Sequence, residues 1–155
     1  MKFKRLVIAC IGLSLAGAAL AQTVKPEDLI KIRQGSLRVV GWHCTKVKNI
    51  LDGQFNKEDL LASATVIQSV ANAGLAGYFA PGTDKGVGFH ESAARAEAVD
   101  PANAAKLADV SASFAKEANE LVRVAAGGDK DAIKAQFGNL TKTCKSCHDD
   151  FRKKS

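Results

Sequence analysis

Cys144-Lys145-Ser146-Cys147-His148 closes a helical stretch that Asp129 caps and that continues through Ile133, Phe137, Leu140, Cys144, Cys147, His148 and Phe151. Two cysteines three apart, with a histidine directly after the second, are the attachment signature of a c-type haem. The chemistry accounts for the spacing. Each thiol adds across one haem vinyl group and leaves a thioether. On a helix, Cys144, Cys147 and His148 share one face. That face can hold both vinyl edges and present an imidazole nitrogen to the iron, a standard axial ligand. The competing readings are weaker. A zinc site needs further soft ligands, and the other cysteines are Cys10 and Cys44. A redox Cys-x-x-Cys pair belongs near a βαβ pattern, and no strand-like alternation is found. The expectation is one haem c per chain, covalently held by Cys144 and Cys147, with His148 as axial ligand.

The other end of the chain agrees with this. Residues 1–21 read as a signal peptide, with Lys2, Lys4 and Arg5 as its basic start, an apolar run from Leu6 to Leu20, and a small-x-small cleavage site at Ala19-Leu20-Ala21. A transmembrane anchor is the alternative, but the run is short of the ~20 strongly apolar residues a span needs. Val7-Ile8-Ala9-Cys10 faintly resembles a lipoprotein box, yet the apolar run continues past Cys10. Cleavage predicts a periplasmic protein, not membrane-bound, whose single domain is residues 22–155, or 134 of the 155. Of 22 basic residues the leader takes three, leaving 19 against 16 acidic ones, a charge of +3. Two haem propionates would bring this to about +1. No basic stripe interleaved with aromatics suggests nucleic acid.

The rest of the chain reads as helices. Pro26-Glu27-Asp28 opens the first, with proline in the first turn and acids at the positive end of the dipole. Ile30, Leu37, Gly41, Cys44, Val47 and Leu51 follow on one face, and Asp52-Gly53 ends it. Asn56 caps a second helix, whose face runs through Leu60, Ala64, Ile67, Ala71, Gly74 and Tyr78. The small residues Ala71, Gly74 and Gly77 predict close helix–helix approach, with room for a macrocycle as the alternative. Residues 78–100 form a long loop with Pro81, Gly82, Gly86 and Gly88, and a short helical turn through Glu91 to Glu97. Asp100-Pro101 starts a third helix with Leu107, Val110, Phe114, Ala118, Leu121 and Val124 as its stripe, stopped by Gly127-Gly128. Four helices and no strands predict an all-α, antiparallel four-helix bundle with the covalent haem c in its core.

A subtraction then bears on function. The one methionine is Met1, which leaves with the leader, so no thioether can complete the iron's coordination. His43 lies six positions after Leu37, about 240° around the helix, and points elsewhere. His90 sits in the long loop and is expected to be solvated. The iron is therefore expected to be five-coordinate and high-spin. Cys44, seven residues after Leu37, reads as a buried inert thiol, with a reactive thiol or interchain disulfide as the alternative.

The whole of 22–155 resembles cytochrome c′, the high-spin class II c-type cytochromes of bacterial periplasms. The resemblance is carried by Lys25-Pro26-Glu27-Asp28 with Arg33-Gln34, by Pro81-Gly82-Thr83, by Ala94-Arg95-Ala96-Glu97, and by Cys144 through Lys154 around the haem motif. It implies that Leu37 covers the distal haem face, where low-spin relatives place methionine. It implies that Arg33 and Gln34 line the haem edge and propionates, and that Arg152 lies near the proximal face. It further implies a homodimer through the first two helices and binding of NO and CO. Two positions depart from the pattern: Val99, where many relatives carry an aromatic residue, and Cys44.

Two functions are compatible with these features. One is a periplasmic electron carrier, with an unknown redox partner protein, that also binds small diatomic gases. The other is a dedicated NO scavenger or carrier. An enzyme such as a peroxidase would need an acid–base group near the iron, and neither His43 nor His90 is well placed. The chain is expected not to be an enzyme.

Overall fold

A computed structural model describes residues 24–154; the leader read at 1–21 and Cys10 lie outside the described residues. The described chain is an antiparallel four-helix bundle, and no strand occurs among the described residues. The helices are α1 (Pro26–Asp52), α2 (Lys57–Ala71), α3 (Ala104–Gly127) and α4 (Lys130–Phe151). Consecutive helices pack on one another, α1 on α2, α2 on α3, and α3 on α4. The links after α1 and before α4 are only a few residues long, which enforces antiparallel neighbours.

The helix ends follow the local chemistry. Pro26 occupies the first turn of α1 with Glu27 and Asp28 beside it. Asn56 caps α2 by accepting from the Asp59 N–H at 3.0 Å. Asp129 caps α4, its carboxylate accepting from Asp131 N–H at 2.9 Å and Ala132 N–H at 3.1 Å. Gly128, at φ 81°, closes α3 in a left-handed turn that only glycine adopts without strain.

Three sequence expectations need correction. The second helix does not reach Tyr78. It stops at Ala71, Gly74 turns left-handed at φ 75°, and Leu75–Tyr78 forms a separate 3-10 turn. The turn keeps Leu75 in the core. Close helix–helix approach also fails at Gly74 and Gly77, since a Cβ placed on either meets nothing within 4 Å. Ala71 alone of the three is in the core. In the long loop the expected turn is 3-10, shorter and later, at Ala96–Ala98. Asp100 caps a further 3-10 turn, Pro101–Asn103, which leads into α3.

The apolar faces meet in two clusters. The larger one fills the bundle with Val40, Val47, Leu51, Leu60, Ile67, Phe114, Leu121, Ile133 and Leu140 among others. The smaller one joins Ala94 and Ala98 of the long loop to Leu107 and Phe151. The stretch that carries the two cysteines and His148 spans the boundary between them. Cys144 packs on the larger cluster and Cys147 on the smaller.

Candidate haem site

The helical register of α4 delivers the expected face. Ile133, Gln136 and Leu140 are buried along one stripe. Cys144 and Cys147 follow, both half-buried and both free thiols. His148, at the last turn, is exposed. Burial pushes the thiols of Cys144 and Cys147 above the ordinary cysteine range. The imidazole of His148 is held below its ordinary value, first by partial desolvation and then by the positive charge of Arg152. Both effects favour the neutral imidazole, the form that offers a lone pair to a metal.

On α1, Leu37 is 39% exposed although the neighbouring Arg33 and Val40 are buried. Two free half-buried thiols, an imidazole one position on, and a partly exposed leucine are the donors and apolar surface that a flat apolar macrocycle needs. The residues present fit a haem c.

Arg33 and Gln34 are both committed to the long loop. Arg33 is 4% exposed. Its Nη1 donates to Tyr78 O at 3.0 Å and Thr83 Oγ1 at 2.9 Å, and its Nη2 to Thr83 O at 2.7 Å and Ser92 Oγ at 2.8 Å. Its guanidinium also lies 4.6 Å from the centre of the Phe79 ring. Desolvation lowers its pKa, partly offset by Asp84. Gln34 clasps the loop tip: its Nε2 donates to His90 O at 2.9 Å and Glu91 O at 3.3 Å, and its Oε1 accepts from Phe89 N–H at 2.8 Å. Sequence reasoning missed this role. Its signal was the pair of glycines at 86 and 88, since Gly88 approaches α1 so closely that a Cβ there would stand 2.8 Å from Ile30 Cγ2 and 3.0 Å from Lys31 N.

The remaining imidazoles lie elsewhere. His43 borders a shallow groove on the outer side of α1 with Val39, Trp42 and Thr45, and its Nδ1 is buried without a partner. His90 is exposed and its Nδ1 lies 3.2 Å from Gln34 Nε2. Cys44 is half-buried against the larger cluster, and its thiol is pushed up to about 12, by burial first and by neighbouring Cys144 second. Among the described residues no cluster of three His, Cys, Asp or Glu could hold a bare metal ion.

The geometry can be set beside known proteins. The family model described as Cytochrome C' matches residues 28–152. A cytochrome c' of Rhodocyclus tenuis is 45% identical over 137 residues, which cover 86% of this chain and 99% of that one. A solved cytochrome c' described as having an unusual ligand-controlled dimer dissociation aligns with a TM-score of 0.79 at 36% identity, over 85% of this chain and 99% of its own. The cytochrome c prime of Alcaligenes xylosoxidans aligns with a TM-score of 0.73, over 86% of this chain and 100% of its own. One variant structure of it carries carbon monoxide, at 30% identity, and another carries NO, at 29%. With a helical bundle, a C-terminal Cys-x-x-Cys-His face and relatives that match nearly end to end, the chain belongs to the cytochrome c′ family.

Proposed function

We propose that the chain is an exported, periplasmic c-type haem protein that transfers electrons and binds NO and CO, and that it is not an enzyme. Cys144 and Cys147 would each add a thiol S–H across a vinyl group, forming a C–S bond while the hydrogen goes to the neighbouring carbon. His148 would be the single axial ligand from the protein, and one haem would be held per chain. The bound haem supplies the redox couple and an open coordination position.

One observation carries the reading: among the described residues, no methionine or further histidine is on hand for that open position. Met1 is the only methionine. His43 stands on the outer side of α1, and His90 is held by Gln34 in the loop. Leu37 offers only an apolar surface, which admits small uncharged molecules and excludes water-borne anions. Arg33, with four donors engaged by the loop, retains its Nε–H for a propionate. The solved relatives that carry CO and NO support the gas-binding part.

The outer side of α1 supports a homodimer. Trp42 is 66% exposed there, with Val39 and Ile32 also open. Large apolar side chains gathered on one helix face mark an association surface. Among the described residues no helix is long and apolar enough to cross a membrane.

The test is an absorption spectrum of the purified protein, ferric and ferrous, before and after NO and CO. A high-spin spectrum that changes with gas is expected. A low-spin spectrum indifferent to CO would mean that a histidine or lysine fills the position, and simple electron transfer would replace the proposal. A dedicated NO scavenger is the second reading, favoured by the apolar Leu37; it predicts tight NO binding with negligible exchange of electrons with any periplasmic redox protein.

A further inference from the structure

Thr83 and Ser92 form a node at the base of the long loop: Ser92 Oγ donates to Thr83 O at 2.7 Å, and both residues are buried. Two cations grip this node from different parts of the fold. Arg33 reaches it from α1, through Thr83 O, Thr83 Oγ1 and Ser92 Oγ. Lys153 reaches it from beyond α4, its Nζ donating to Asp84 O at 3.0 Å and to Ser92 O at 2.9 Å. Hydrogen bonds from a charged donor are the stronger kind.

The backbone around Lys153 is fixed as well. Its N–H donates to Ala93 O at 2.8 Å, and Arg95 N–H donates to Phe151 O at 2.9 Å. The pair makes an antiparallel bridge between Ala94 and Arg152. Arg152 is extended there, at φ −104° and ψ 135°. In extended backbone successive side chains point to opposite sides. Phe151 is buried in the smaller cluster and Lys153 turns to the loop, so Arg152 is left on the other side, exposed. It lies one helical turn past His148, and its N–H donates to His148 O at 3.2 Å.

We infer that Lys153 is a positioning residue: seated on the Thr83–Ser92 node, its ammonium holds the bridged tail so that Arg152 stands beside His148. Because Arg33 grips the same node one turn before Leu37, the two sides of the site share a single anchor. The inference rests on the haem reading given above.

The test uses the haem-loaded protein and the variants Lys153→Ala, Lys153→Arg, Arg152→Ala and Lys153→Ala with Arg152→Ala. Amide hydrogen exchange at Arg95 and Lys153 is read first. Lys153→Ala is expected to speed exchange at these two amides about tenfold or more relative to the helix interiors. The NO association rate and the reduction potential are read next. Lys153→Ala is expected to move both in the direction that Arg152→Ala moves them, Lys153→Arg to restore them, and Lys153→Ala to add little once Arg152 is gone. A direct charge effect or a general loss of stability would be equally large with Arg152 present or absent, and that result overturns the inference. Unchanged exchange at both amides overturns it too. Lys153→Met keeps an unbranched stem without the ammonium donor, and takes the place of the alanine variant if that does not accumulate. Exchange needs no gas chemistry, so failure of the clamp and failure of the haem reading are told apart.

Discussion

Arg33 on α1 donates to both oxygens of Thr83, the hydroxyl at 2.9 Å and the carbonyl at 2.7 Å, across fifty residues of sequence. The contact ties the long loop to the helix that also carries Leu37. Removing the guanidinium would take one donor each from Tyr78 O, Thr83 O, Thr83 Oγ1 and Ser92 Oγ, the last three of them buried. An unsatisfied buried polar group costs about 1–3 kcal/mol. Arg33→Met is therefore expected to destabilise the fold by about 2–4 kcal/mol, and Arg33→Lys by less, since one ammonium cannot span the fork. Chemical denaturation of the three proteins measures this. A loss below about 0.5 kcal/mol would mean that the loop is held by something else.

Gly88 and Gly77 make a matched pair. A Cβ on Gly88 would meet Gln34 Oε1 at 2.6 Å, Ile30 Cγ2 at 2.8 Å and the backbone nitrogen of Lys31 at 3.0 Å, whereas on Gly77 it would meet nothing within 4 Å. Gln34 can swing aside, but the α1 backbone cannot. Gly88→Ala is expected to cost about 1–3 kcal/mol by overpacking and to free the loop tip at Phe89. Gly77→Ala should stay within about 0.5 kcal/mol. Thermal unfolding separates the two, and equal shifts would contradict the packing described.

The helices and the shared face of Cys144, Cys147 and His148 were legible because local chemistry and periodicity agree there. Asn56 and Asp129 cap where their positions predict, and the stripe from Ile133 to Phe151 places Cys144, Cys147 and His148 on one continuous surface. The roles of Arg33 and Gln34 toward the loop were not legible. Their partners at Thr83, Phe89, His90 and Ser92 are more than forty residues away, and no periodicity links a loop to a helix. The end of α2 was misread because Tyr78 keeps helical spacing from Gly74 although Gly74 has left the helix. Apolar spacing is blind to a single left-handed residue. The backbone bridge from Ala94 to Arg152 was also beyond reach, since it depends on main-chain groups that every residue carries.

Cys44 gives a prediction with a pH sign. Its thiol is pushed up to about 12, mainly by burial. An unfolded cysteine ionises near ~8.5, so the folded state favours the protonated thiol. The stability this contributes is fully present below the unfolded value and is lost as pH rises from about 8.5 toward 12. At pH 8 the folded protein holds this thiol almost wholly protonated, and the thiolate is the reactive form. Cys44 should therefore resist iodoacetamide in the native protein and react promptly once denatured, and the protein should run without an interchain disulfide on non-reducing electrophoresis. Rapid native alkylation or a covalent dimer would reverse the reading of Cys44 as an inert core thiol.

Leu37 is the residue on which the distal side of the proposed site depends. It is 39% exposed on α1, between the buried Arg33 and Val40. As an apolar group over the iron it can only obstruct, since it has no lone pair to donate. Shortening it should then speed gas entry without creating a ligand. Leu37→Ala is expected to raise the CO association rate several-fold while leaving thioether attachment intact. Stability should fall by less than the ~2–5 kcal/mol typical of a buried leucine, because this one is partly open. Stopped-flow mixing with CO gives the rate, and denaturation gives the stability. Unchanged CO kinetics would remove Leu37 from the gas path and point to the other side of the site, where Arg152 stands beside His148.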